Sequence, residues 1–162
     1  MIESIAIIGA GNMGSGIAQK SATEGFKVQM VDREPEWVER GQGIVSSFLD
    51  EAEERRIFNT KQVKEIKSRI SGVVGTENVD PSTDLVIEAV FEDFDVKKSV
   101  FQTLNRVCGD STILASNTSS LSVNRLAEVT GRPDRFVGLH CFYHPAKNGL
   151  VEIIPASMTS EE

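Results

Sequence analysis

The 162-residue sequence predicts an α/β fold, a doubly wound and mostly parallel sheet with helices on both faces. Three observations carry this prediction. Apolar runs of strand length alternate with segments of helical periodicity along the whole chain. The runs at 5–8 and 84–90 ("DLVIEAV") are almost continuously apolar, as strands covered on both faces are. A glycine-rich turn follows the first run directly and opens the first helix.

Taken in order, Ile5 to Ile8 form the first strand, and Met13, Ile17, Ala18 and Ala22 mark a helix that Gly25 closes. A second strand at 28–31 ends at Asp32. Val38, Ile44, Val45, Phe48, Leu49 and Ala52 then fit an amphipathic helix over 37–52, which Gly41 and Gly43 weaken, and a shorter helix is expected at 63–70. After the strand at 84–90, Val96, Val100, Phe101, Leu104 and Val107 mark a helix stopped at Gly109. "TILAS" and "RFVGLHCF" repeat the strand pattern on either side of a short helix at 123–129. Nothing in the sequence explains Glu88, an acid inside an apolar strand.

The composition suits one domain over 1–162. A chain of about 150 residues buries roughly 70% of its unfolded surface. The net charge of −7 and the lack of any Lys/Arg run argue against a nucleic-acid partner. Cys108 and Cys141 show no paired spacing, no basic signal region opens the chain, and no apolar stretch approaches the about 18 residues of a membrane span. The expectation is a cytoplasmic protein with no membrane partner. Thr159 and Glu162 stand at capping-box spacing, so a helix is expected to begin where the sequence stops, as in a chain cut from something longer; a polar tail is the alternative.

Gly9, Gly11 and Gly14 form G-x-G-x-x-G between a strand and a helix whose first turn holds Asn12 and Met13. The first glycine permits the tight turn, the second lets a pyrophosphate approach the backbone, and the third allows close helix packing. With Asp32 ending the second strand, this is the Rossmann-type dinucleotide fingerprint. Asp32 can accept from ribose hydroxyls, whereas a 2′-phosphate beside it meets a repulsion of about 4 kcal/mol per charge pair at about 4 Å. The cofactor predicted is therefore NAD rather than NADP. Arg33 is grouped with the cofactor-binding residues, although a solvated surface charge is its plainer reading.

His140 and His144 are the only histidines. His140 lies at the C-terminal end of the last parallel-type strand, the edge where such sheets bind ligands. Glu152, in "LVEII", is expected on a returning strand, where it can accept from the second ring nitrogen and hold one tautomer.

Taken together, "GAGNMGSGIAQ", "IEAVFEDFDVKKSVF", "ASNTSSLS", "GRPDRFVGLHCF" and "LVEII" resemble the NAD-binding domain of the L-3-hydroxyacyl-CoA dehydrogenases. The resemblance implies NAD-dependent oxidation of a 3-hydroxyacyl-CoA to the 3-oxoacyl-CoA in fatty-acid metabolism, with His140 as base, Glu152 as its partner and Ser119 bonded to the substrate's 3-oxygen. It further implies that Asn117 frames the pocket, that Glu92 and Lys97 line the cofactor site, and that a following helical domain covers the acyl-CoA and makes a homodimer. The sequence departs from the family after His140, where Tyr143 and His144 replace an Asn-Pro pair. Three other readings use the same residues: a metal site at His140, Cys141 and His144, an NAD-binding protein without turnover, and a dehydrogenase of a free hydroxy acid or sugar acid. The first falls short in ligand number, since zinc takes three or four protein ligands, and no metal is predicted.

Overall fold

The structure, a computed structural model, describes residues 1–161. Seven strands and five α-helices alternate: β1 (Ser4–Ile8), α1 (Asn12–Thr23), β2 (Lys27–Asp32), α2 (Pro35–Glu54), α3 (Thr60–Ser68), β3 (Ile70–Val74), β4 (Leu85–Glu88), α4 (Phe94–Val107), β5 (Ile113–Ser116), α5 (Val123–Val129), β6 (Phe136–Cys141) and β7 (Val151–Pro155). They form one sheet in the order β3-β2-β1-β4-β5-β6-β7. All neighbours are parallel except β7, which returns antiparallel to β6. This is the predicted doubly wound fold. The order reverses between β1 and β4, so a crevice opens over the C-terminal ends of those strands.

Alternation along β1 divides the core. Ile5 and Ile7 pack with Ile17, Met30, Val45, Leu49 and Ile87 under α1, α2 and α3; Ala6 and Ile8 pack with Val86, Phe101, Leu104, Leu126 and Phe136 under α4 and α5. Each large apolar side chain buried there contributes about 1.5–3 kcal/mol.

Local chemistry sets the helix ends. Pro35 occupies the first turn of α2, Asn59 and Gln62 form a capping box on α3, and the Asp93 carboxylate accepts from Val96 N–H at 2.9 Å to open α4. Arg132, buried, caps the other end of α4 by donating to the carbonyls of Asn105 and Cys108 at 3.0 and 3.2 Å.

One sequence expectation changes and a second gains its reason. The third helix stops at Ser68 and Ile70 begins β3, an edge strand the sequence did not suggest, because Ser71 and Gly72 interrupt its apolar pattern. Gly41, a weak helix former, lets α2 dock: a Cβ there would lie 2.7 Å from Ala10 Cβ and 2.8 Å from Ala10 O. The capping box at the end of the chain involves Glu162, which lies outside the described residues. Thr159 bonds back into the sheet, donating to Phe136 O at 2.6 Å and accepting from Ala156 N–H at 2.7 Å.

Candidate active site

The turn after β1 reaches over the reversal point of the sheet. Gly9 has φ +106°, and a Cβ on it would meet Ala89 O at 2.7 Å. A Cβ on Gly14 would fall 1.7 Å from Gly9 O, so α1 lies directly against the turn. Gly11 is the opposite case, with nothing within 4 Å of its Cβ position. That open space faces the first turn of α1, where Asn12 is exposed and Met13 half-buried, and where N–H groups have no intrahelical acceptor. A side chain at Gly11 would fill the space a pyrophosphate needs, so the turn fits NAD.

Asp32 completes this part of the site. Its Oδ2 accepts from Ala10 N–H and its Oδ1 from Arg33 N–H, both at 2.8 Å, which fixes the carboxylate beside the turn. The Arg33 side chain is exposed.

Across the crevice, His140 and Glu152 are register partners on β6 and β7, with Nδ1 2.8 Å from Oε2. A carboxylate only accepts, so Nδ1 carries the proton and Nε2 is left as the basic nitrogen. The Phe142 ring lies 4.6 Å from the imidazole. Asn117, following β5, accepts from Cys141 N–H through Oδ1 at 2.8 Å and so sits beside His140. Ser119 is exposed, and its N–H donates to Glu92 Oε1 at 3.0 Å.

Glu92 also accepts from the Thr118 hydroxyl and from Ser120 N–H and Oγ at 3.1 and 3.0 Å. Burial raises the pKa of this carboxyl, but the Thr118 hydroxyl and the Lys97 ammonium outweigh it and bring the group down to about 2. Lys97 is not a surface charge. Its side chain is 1% exposed, with Nζ 2.6 Å from Glu88 Oε1 and 3.2 Å from Glu92 Oε2, so Glu92 stands between it and solvent. Glu88, unexplained by sequence, is the buried centre of this cluster; an acid in an apolar strand followed by a lysine was its only signal.

His144 faces elsewhere. It is buried against Phe48, with ring centroids 4.3 Å apart, and against the Gly16 backbone of α1. Burial, helped by the Lys147 charge, pushes its pKa below the usual histidine value. No three His, Cys, Asp or Glu side chains among the described residues are grouped to hold a metal ion, so His140, Cys141 and His144 do not assemble as ligands. No described helix is long and apolar enough to cross a membrane.

A family model described as the NAD-binding domain of 3-hydroxyacyl-CoA dehydrogenase matches residues 4–162. The chain is 42% identical over 161 residues to a probable 3-hydroxybutyryl-CoA dehydrogenase of Bacillus subtilis, covering 99% of this chain and 56% of that protein. It is 38% identical over 167 residues to the mitochondrial hydroxyacyl-coenzyme A dehydrogenase of Sus scrofa, covering 100% and 53%. The crystal structure of (S)-3-hydroxybutyryl-CoA dehydrogenase from Ralstonia eutropha superimposes with a TM-score of 0.94 at 38% identity, covering 99% of this chain and 56% of that one. The chain thus spans about half the length of these relatives. With its glycine turn, its reversal crevice and a match that runs almost end to end, the chain belongs to the family of 3-hydroxyacyl-CoA dehydrogenase NAD-binding domains, whose cofactor is NAD.

Proposed function

We propose that this chain carries the NAD site and the acid-base pair for oxidation of a 3-hydroxyacyl-CoA to the 3-oxoacyl-CoA. The observation that carries the proposal is the His140 to Glu152 contact at 2.8 Å, at the C-terminal edge of the same sheet as the glycine turn. Gly9, Gly11, Asn12, Met13 and Gly14 would hold the pyrophosphate, Asp32 the adenosine ribose, with Arg33 beside it, and Glu92, Asn117 and Ser119 the nicotinamide end. Bound there, NAD supplies the hydride acceptor.

The chain's own residues handle the proton. His140 Nε2 takes it from the 3-hydroxyl, and Glu152 stabilises the imidazolium that results while fixing the ring. The Ser119 hydroxyl, whose backbone Glu92 holds, donates to the 3-oxygen. In the reverse direction the imidazolium returns its proton.

We assign residues 1–162 to one NAD-binding domain, placed in the cytoplasm, and a second, helical domain to covering the substrate and making a homodimer. Support comes from β7 and its approach, where Leu150, Val151, Ile153 and Ile154 are exposed together. Without a cover, water reaches the reacting groups and positioning weakens.

The test is NAD reduction with 3-hydroxybutyryl-CoA, using the chain alone and the chain fused to the part of the Bacillus subtilis relative it does not match. Turnover by the fusion, at least about tenfold above the chain alone, is expected. Turnover of free 3-hydroxybutyrate at an equal rate would overturn the acyl-CoA assignment, and NAD binding with no turnover in either form would leave a binding protein.

A further inference from the structure

Glu88 ends β4 with its side chain wholly buried. A buried carboxylate is costly unless its neighbours satisfy it, and here three do. Oε1 accepts from Lys97 Nζ at 2.6 Å and from Val90 N–H at 2.7 Å, and Oε2 accepts from the Ser116 hydroxyl at 2.6 Å. Lys97 donates onward to Glu92 Oε2 at 3.2 Å and to Val90 O at 3.4 Å, so its three protons are all used.

These contacts converge on residues 117–120. Asn117 N–H donates to the Glu88 carbonyl at 2.8 Å, Thr118 N–H to the Ser116 hydroxyl at 3.2 Å, and the N–H groups of Ser119 and Ser120 to Glu92. Thr118, Ser119 and Ser120 are therefore tied to the Glu88 side chain through Ser116 or through Lys97 and Glu92, while Asn117 is held by the Glu88 main chain. From the same segment Asn117 reaches β6 beside His140. A buried ion pair adds little stability over an apolar pair of similar size, whereas it constrains its partners in direction and distance.

We propose that Glu88, paired with Lys97 inside the sheet, is a positioning residue that holds segment 118–120, and with it Ser119, in place at the cofactor crevice. What the segment does there rests on the function proposed above; that Glu88 holds it does not.

Two variants of the 162-residue chain test this: Glu88→Gln, and the double change Glu88→Met with Lys97→Met. The readouts are amide hydrogen exchange at Ser119 and Ser120 against β1 and β2, the thermal midpoint, and NADH affinity. In Glu88→Gln, exchange at Ser119 and Ser120 should quicken about tenfold while β1 and β2 keep their protection. The double variant should regain the wild-type midpoint, yet leave the segment unprotected and NADH binding weakened about tenfold or more. Uniform loss of protection across the sheet in Glu88→Gln would overturn the proposal. So would a double variant that recovers segment protection together with its midpoint. Failure of the wild-type chain to bind NADH would refute the cofactor assignment instead, and the exchange measurements would still decide the role of Glu88.

Discussion

His140 and Glu152 stand directly opposite each other on β6 and β7, and their side chains meet at 2.8 Å. Strand register, rather than the intervening loop, brings them together. His140→Ala should lower kcat by about 10² to 10⁴ with little change in NAD affinity, the usual loss for a positioned base. Glu152→Gln, which keeps an oxygen for Nδ1 but not the charge, should cost less. Steady-state kinetics of the fusion described above checks both, and inactivation by His144→Ala rather than His140→Ala would identify the wrong imidazole.

Two glycines of one turn should respond in opposite ways. Gly14→Ala puts a methyl 1.7 Å from a backbone oxygen, a clash no rotamer relieves, and should cost about 3 kcal/mol or more. Gly11 has φ −75° and open space, so Gly11→Ala should keep the midpoint within about 4 °C while weakening NADH binding about tenfold or more. Thermal melts and calorimetry separate the two effects.

Asp32 should set cofactor choice. NADH should bind at least about tenfold more tightly than NADPH, since the carboxylate accepts from a ribose and repels a phosphate. Asp32→Asn retains an oxygen for Ala10 N–H and removes the charge, so it should narrow the preference without unfolding the turn. Tighter binding of NADPH by the unaltered chain would refute the assignment.

Acid should destabilise the fold in two stages. The His144 pKa lies below its usual 6.5, so the unfolded chain takes that proton first, and stability falls as pH drops from about 6.5 toward the folded value. Glu92 falls from 4.5 to about 2, so its contribution is complete above about 4.5 and is lost as pH falls toward 2. The full shift corresponds to about 3 kcal/mol, and solvent screening of a side chain 35% exposed reduces it to about 1–2 kcal/mol. Urea midpoints measured against pH should lose the upper stage in His144→Gln and part of the lower one in Glu92→Gln, since Asp50, Asp80 and Asp84 are also held below their usual values.

The segment from β1 to β2 was legible in sequence because its signals are local: an apolar run, three glycines and an acid at a strand end. The helix at 123–129 was equally plain in its short length, and the structure adds Ser122 as its N-cap. β3 was missed because an exposed edge strand has little apolar alternation and depends on pairing with β2, far away in the chain. Glu88 was opaque for a related reason. Its partners Lys97 and Ser116 lie 9 and 28 residues away, in a helix and another strand, and only folding unites them.

The antiparallel return of β7 separates two tasks that a single loop would otherwise share. The pairing of β6 with β7 sets the distance between His140 and Glu152, so the nine residues from 142 to 150 are not what joins the two partners. Tyr143, exposed, and His144, tucked against α1 and α2, occupy this interval. A change at exposed Tyr143 can therefore alter the rim of the crevice while the His140–Glu152 pair stays joined, with β7 as the fixed boundary.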